Sequence, residues 1–381
     1  MYLSEEHHLI RKTVRDFAEK EIRPVARELD EKGEFSIELT KKMGEIGLFG
    51  LRTPVKYGGF EMDTLAYVIA VEELARVDSS QAATIAAHTS LGIGPILHYG
   101  TEEQKEKYLP MLSTGEATWA FGLTEPEAGS DSQNTKTKAV LEGDQWVING
   151  AKIFITNGAS SINVGATVQA VTGKKDGKKE FSTILVDADT PGFMRIPMHN
   201  KMMWRASDTA QLFFEDCRVP EKNLLGKRGD GAHIMLGTLD SGRLSIAAMG
   251  LGLSQGAFEL AMKYAKTRKQ FGKPIAQFQV NAFKLADMAT KIELGRNLLY
   301  KAAWLKSNNQ PFAKEAAMAK LYCSEIAREI ADEAVQLHGG YGLMKDYDIE
   351  RFYRDQRLLQ IGEGTSEIQR LVISRYIGCY E

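Results

Sequence analysis

The segment QIGEGTSEIQRLVISRY, residues 360–376, sets Glu363 between Gly362 and Gly364 just ahead of a helical pattern. Those residues allow two readings. Ser366 and Gln369 are spaced as a capping box, which makes Glu363 an exposed turn carboxylate before a helix. Alternatively, flanking glycines clear space for a bulky molecule, and Glu363 is a general base whose basicity nearby apolar groups adjust. Other segments carry the same ambiguity. In FGLTEPEAGSD (121–131), Thr124, Gly129, Ser130 and the local N–H groups either cradle a phosphate or ring edge, or form a Pro/Gly turn. In KIFITNG (152–158), Phe154 and Thr156 suit a flat ring or a plain strand. Asp240 and Arg243 of LDSGR (239–243) read as opening a long helix, where they bind a polar ligand or serve the helix dipole. Arg268 of RKQFG (268–272), followed by Gln279, reaches an anion or neutralises a helix C-terminus.

Composition narrows the class. The 381 residues are 43% hydrophobic and 26% charged, with a formal net charge of −2. That length suggests two to three domains. No basic block stands out, which argues against nucleic acid as a partner. No run of about 18 apolar residues predicts a membrane span, and the charged N-terminus is unlike a signal peptide. Cys217, Cys323 and Cys379 lie far apart, supporting neither disulfides nor zinc. The expectation is a cytoplasmic, metal-free protein. GLGLSQG (250–256) has the wrong spacing for a dinucleotide fingerprint and continues a helical run, so its glycines are read as close-packing positions.

Three zones must position these groups in an α+β multidomain chain. Residues 1–115 are helical in pattern, with a capping box from Thr101 to Gln104 and a break at Pro110 and Ser113-Thr114-Gly115. From 116 to 228 the period shortens to two. Asn149-Gly150 between β-rich runs predicts a hairpin turn, and VGATVQAV–TGKKDGKK–FSTILVDA predicts a second hairpin with a solvated loop. AQLFFEDCRVP is a further strand. From 229 to 381 long helices return as an antiparallel bundle, with Met318, Leu321, Ile326, Ile330, Ala334 and Leu337 on one stripe.

Taken together, FGLTEPEAGSD, KIFITNG, RASDTAQLFFEDCRVP, RKQFG, QLHGGYG (336–342) and GEGTSEIQR resemble the signature segments of the acyl-CoA dehydrogenase family, in order, from Leu3 to Tyr376. The flavour is that of the short-chain, butyryl-type branch and its bacterial relatives for branched and alicyclic acyl groups. The resemblance implies an N-terminal helical domain, a central β-domain of sandwich or barrel type, and a C-terminal four-helix bundle. It implies a homotetramer with one FAD per subunit and an electron-transfer flavoprotein as acceptor. Phe121, Leu123, Thr124, Gly129 and Ser130, with Phe154, Ile155 and Thr156, would surround the isoalloxazine ring. Arg268, Phe271 and Gln279, with Gln336, Leu337, Gly339 and Gly340, would bind the adenine and pyrophosphate end of a neighbouring subunit's FAD. Thr365 and Glu367 would also contact FAD. Ser130, Asp240, Ser241, Gly242 and Arg243 would hold the acyl-CoA, and Gly364 lets the chain turn beside it. Glu363 is then implied as the base that takes the α-proton while the β-hydrogen leaves as hydride to flavin N5, giving a 2-enoyl-CoA.

Departures from the family pattern sharpen this. A second branch carries its base where this chain has Gly242, so Glu363 has no rival. Glutaryl-type enzymes carry an arginine near the position of Ala82, which weighs against a dicarboxylic substrate. Many relatives have an aromatic residue where this chain has Gly362, which points to a bulkier acyl group, with straight-chain butyryl as the alternative. Met203 stands where glycine is common, without an account from sequence. An O₂-using flavin oxidase or hydroxylase is the rival activity on this scaffold, disfavoured by the glutamate. A DNA-binding reading would call for a basic C-terminal extension, which SRYIGCYE (374–381) does not resemble, so it is not expected.

Overall fold

The computed structural model describes residues 3–380, so Met1, Tyr2 and Glu381, at the outer limits of the first and third zones, lie outside the described residues. Among the described residues, seven α-helices fill the first zone: α1 (Glu5–Phe17), α2 (Arg23–Lys32), α3 (Ile37–Glu45), α4 (Thr64–Ala75), α5 (Ser79–Ala87), α6 (Gly94–Tyr99) and α7 (Glu102–Thr114). Five start on a side-chain cap, where Ser4, Ser36, Asp63, Asp78 or Thr101 accepts the N–H three residues on. The Thr101–Gln104 box is formed in both directions. Pro110, expected to break this helix, does not. It and Glu106 lie on the exposed face, so the carbonyl deprived of its partner turns to water. The helix stops instead at Gly115, whose φ of +77° closes it.

The middle zone holds β1 (Thr118–Gly122), β2 (Lys138–Glu142), β3 (Gln145–Thr156), β4 (Asn163–Lys175), β5 (Lys178–Asp187), β6 (Phe193–Pro197), β7 (Thr209–Pro220) and β8 (Leu224–Leu225). The expected sandwich or barrel is one eight-stranded sheet in the order β6-β7-β3-β2-β4-β5-β8, with β1 added beside β4. Trp146, Ile148, Val168, Ile184 and Phe214 belong to its core. Asn149-Gly150 makes no turn. β3 runs straight through it between β2 and β7, and the register with β7 slips between Ile148 and Gly150. The pair forms a bulge. Asn149 donates to Asp216 Oδ1 (3.1 Å) and accepts from the Asp216 N–H (2.9 Å). Gly150 has no room for a side chain, because a Cβ would lie 2.5 Å from Thr137 Oγ1. The turn signal was overridden by strands available on both sides. The second hairpin forms as expected but tightly: Lys175 pairs with Lys178 around Asp176 and Gly177, both at positive φ.

The last zone holds α8 (Gly231–Thr267), the two-stranded β9 (Lys269–Gln270) and β10 (Lys273–Pro274), then α9 (Gln279–Ser307), α10 (Ala313–His338), α11 (Ile349–Leu359) and α12 (Ser366–Tyr376). Helices α8 to α11 pack as the expected four-helix bundle. By length and composition α8 could cross a membrane, but 78% of its most apolar 18-residue window is buried inside the protein. It begins at Gly231, about two turns before LDSGR, so that segment lies inside the helix instead of opening it. The α10 stripe is shifted as well. Ile326, Ile330, Ala334 and Leu337 are buried, Met318 and Leu321 only half so, and alanines take most of the inner face together with Lys320.

The two helical zones share one core. Tyr67, Val68 and Val71 of α4 belong to the same apolar cluster as Leu251 and Leu253 of α8 and Ile326 of α10. The GLGLSQG glycines make this possible. A Cβ on Gly252 or Gly256 would lie 2.1 Å from the carbonyl oxygen of Glu72 or Arg76, and one on Gly250 would lie 2.7 Å from that of Cys323. Backbone cannot yield as a side chain tip can. Gly252→Ala should therefore destabilise by about 1–3 kcal/mol, read as a lower urea midpoint. Gly94→Ala, whose Cβ would meet only the Thr89 oxygen at 3.7 Å, should leave the midpoint nearly unchanged.

Candidate active site

A cavity of about 430 Å³ lies where these elements meet: α5 with the π-helical turn after it, β1, β3, α8 and the α11–α12 connection. Thirteen residues singled out from sequence line it. Phe121, Leu123, Thr124, Gly129 and Ser130 come from β1 and the turn beyond, and Phe154, Ile155 and Thr156 from β3. Arg243 comes from α8, and Gly362, Glu363, Gly364 and Thr365 from the connection. Three non-glycine residues on this wall, Phe154, Trp204 and Glu363, adopt φ of +62°, +45° and +53°. Such strain collects at functional sites when the surroundings over-determine it.

Two buried groups fasten the walls. Lys152, fully buried, donates to Glu125 Oε1 (2.7 Å) and to the Leu123 carbonyl (3.1 Å). Glu125 also accepts the N–H groups of Lys136 and Thr137. The pair clamps FGLTEPEAGSD onto KIFITNG, so both segments face one space. Sequence reasoning passed over both residues, although a lysine inside an apolar strand run was the available signal. Trp204 is held likewise, its N–H and ring Nε1 donating to Asp355 Oδ1 (2.8 Å) and the Asp355 carbonyl (3.1 Å). The positive φ of this segment thus falls on Trp204, and Met203, beside it, packs on the helical core without needing glycine.

Glu363 is not an exposed turn residue, and Gly362 before it lines the cavity. Its carboxyl Oε2 is buried and has no hydrogen-bond partner. Burial pushes the carboxyl up to about 7, against the pull of the Lys320 and Arg243 charges. The expected Ser366–Gln369 capping box is absent. Thr365 caps α12 by accepting the Ile368 N–H, and Gln369 instead donates to the carbonyls of Glu363 (3.2 Å) and Gly364 (2.9 Å). The physical reason is the turn itself: Glu363 and Gly364 are both at positive φ, which aims their carbonyls inward where a buried donor must meet them.

Gly242 does not line the cavity but makes Glu363 possible. A Cβ there would sit 1.7 Å from Glu363 Oε2. Asp240 stands behind the wall, holding Arg243, while Ser241 faces away and bonds Lys306. A second cleft, of about 610 Å³, gathers Arg268, Gln336, Leu337, Gly339 and Gly340 with the unforeseen Tyr264, Tyr341 and Met344. It shares no residue with the first. Phe271, 93% exposed, and Gln279 and Glu367, also exposed, line neither.

A flat ring with polar edges fits the first cavity. Its walls are mainly apolar, Phe154 is exposed in a strained backbone, and Glu363 Oε2 and Arg243 Nε are buried without partners. Two outcomes follow from the geometry. With Glu363 taken as a general base, which works only when deprotonated, kcat/KM should rise with pH through about 7 instead of through the usual carboxylate range. Gly242→Ala should rotate the Glu363 side chain aside at little cost to folding but lower kcat by about 100-fold, measured with the thermal midpoint as control.

The whole chain has counterparts. It matches the acyl-CoA dehydrogenase N-terminal domain over residues 4–116, the middle domain over 120–217 and the C-terminal domain over 229–378. It is 51% identical to the probable acyl-CoA dehydrogenase YngJ of Bacillus subtilis over 98% of both chains. It is 46% identical to subunit CarC of the caffeyl-CoA reductase–Etf complex of Acetobacterium woodii, again over 98% of both. The butyryl-CoA dehydrogenase structure from Megasphaera elsdenii matches with a TM-score of 0.96 at 41% identity, covering 99% of each chain. Helical, β and helical zones, and the cavity among them, are therefore those of a flavoprotein oxidoreductase: the chain belongs to the acyl-CoA dehydrogenase family.

Proposed function

We propose that the protein is a short-chain-type, FAD-dependent acyl-CoA dehydrogenase in which Glu363 removes the proton α to the thioester. The observation that carries this is the buried, unpartnered Glu363 carboxyl facing an apolar cavity. FAD, bound against Phe121–Ser130 and Phe154–Thr156, supplies the hydride acceptor. The chain's own part is to orient and to move one proton. An apolar wall strips water from the carboxylate and makes it more basic, and a value near 7 matches proton transfer at neutral pH. The Glu363 backbone N–H is the donor we assign to the thioester carbonyl, where negative charge develops as the proton leaves. Arg243, steadied by Asp240, keeps positive charge on the cavity wall, and Ser130 is assigned to CoA.

The acyl group we infer is branched or alicyclic. Ala83, Ala86, Ala87 and Gly362 put only methyl groups or a hydrogen on part of the cavity wall, and a Cβ on Gly362 would meet Leu358 only at ordinary contact distance. Space there is available to substrate. Butyryl-CoA is the second reading, supported by the likeness to the M. elsdenii enzyme.

The partners follow the same logic. The second cleft, remote in composition from Glu363, supports a homotetramer in which Arg268, Gln336, Leu337, Gly339 and Gly340 serve a neighbour's FAD. Exposed Phe271, Val280, Phe283 and Leu343 supply apolar surface for such contacts. The A. woodii relative, a subunit of an Etf complex, supports an electron-transfer flavoprotein as acceptor.

Glu363→Gln should keep FAD bound and lower turnover by at least about 10³-fold. Near-normal turnover would end the base assignment. Anaerobic bleaching of the flavin by butyryl-, isobutyryl-, isovaleryl- and cyclohexanecarboxyl-CoA identifies the acyl class. Gly362→Tyr should penalise the bulkier thioesters more than butyryl-CoA, and equal losses would remove the pocket argument.

A further inference from the structure

One buried cation lies next to the cavity without lining it. Lys320 is fully buried in the alanine-rich inner face of α10, and its Nζ donates to the Gly364 carbonyl at 2.7 Å. The same oxygen accepts from Gln369 of α12 at 2.9 Å, so donors from two helices converge on one carbonyl of the turn that carries Glu363. That turn needs holding. Glu363 and Gly364 are consecutive residues at φ of +53° and +92°, and the first has a side chain. Such a conformation persists only when its surroundings over-determine it.

We propose that Lys320 is a positioning residue for the reaction: its ammonium clamps the left-handed Glu363–Gly364 turn through the Gly364 carbonyl and sets a positive charge behind the base. The proposal rests on Glu363 being that base. Mechanical and electrostatic effects act together. The hydrogen bond fixes the Gly364–Thr365 peptide just beyond Glu363 and so the turn that carries it, and the charge favours the carboxylate over the acid between turnovers. The groups acting on this carboxyl come from three helices: Lys320 of α10 and Arg243 of α8 favour its ionised form, and the buried phenol of Tyr67 of α4 lies within its field. Around Lys320 itself stand Glu363, Arg243, Glu325 and Glu367. Burial pulls the ammonium down to about 8, so it remains charged where Glu363 must ionise.

Two variants separate the effects, with FAD content and tetramer size as controls. Lys320→Met removes donor and charge, and should lower kcat by about 100-fold while KM changes little. It should also raise the Glu363 titration by about one pH unit, followed by the infrared carboxyl band that Glu363→Gln abolishes. Lys320→Gln keeps an N–H donor without charge, and should recover part of kcat while keeping the raised titration. An unmoved carboxyl band with wild-type kcat in Lys320→Met overturns the proposal. Failure of both variants to fold with flavin also overturns it, because it would assign Lys320 to the core alone. An active Glu363→Gln would instead defeat the base reading, and with it this one; an inactive Glu363→Gln beside an unaffected Lys320→Met defeats this one only.

Discussion

The structure depends on close approach to the backbone of α8. This 37-residue helix meets α4, α10 and the Glu363 turn where it carries glycine, and at each meeting a single methyl group would collide. Gly252 and Gly256 admit carbonyls of α4 and the residue just after it, Gly250 admits α10, and Gly242 admits the Glu363 carboxyl itself. Glycine in a helix interior costs about 1 kcal/mol relative to alanine. Here that cost is offset by packing two helical zones into one core.

The Glu363 turn lives with two unfavourable terms at once. A carboxyl is taken out of water without a direct partner, and its backbone is held left-handed. Both are tolerated because the surrounding donors are themselves buried and aimed at the turn's carbonyls, leaving the carboxyl free. Had Gln369 reached back to cap its helix, as the residue spacing suggests, Glu363 would have been left with a slack, solvated turn. The β-domain uses the same device differently. The Lys152–Glu125 pair is satisfied internally and ties the turn after β1 to β3.

Much of this was legible in the residues. The order of helices, strands and helices, the Thr101–Gln104 capping box and the hairpin between VGATVQAV and FSTILVDA rest on interactions within a few positions of chain and came out as read, whereas the Ser366–Gln369 box did not. The misreadings share one cause. Asn149-Gly150 signals a turn only if no strand lies alongside, Pro110 ends a helix only if its orphaned carbonyl cannot find water, and LDSGR opens a helix only if nothing upstream extends it. Each local signal was correct about the local cost and silent about the neighbour that offset it.

The amino-acid sequence by itself determined which side chains could do chemistry: a lone glutamate between glycines, a glycine at the rival base position, two loops able to face a ring. Its motif order also determined the family. Tertiary structure decided that the glutamate's carboxyl oxygen is buried and its titration raised, that Lys320 and Gln369 hold its turn, and that thirteen residues from distant segments line one cavity while five others line a second. The reason is physical. Local propensity and capping depend on residues a turn or two apart, whereas desolvation and charge depend on everything within several ångströms, which only the folded chain brings together.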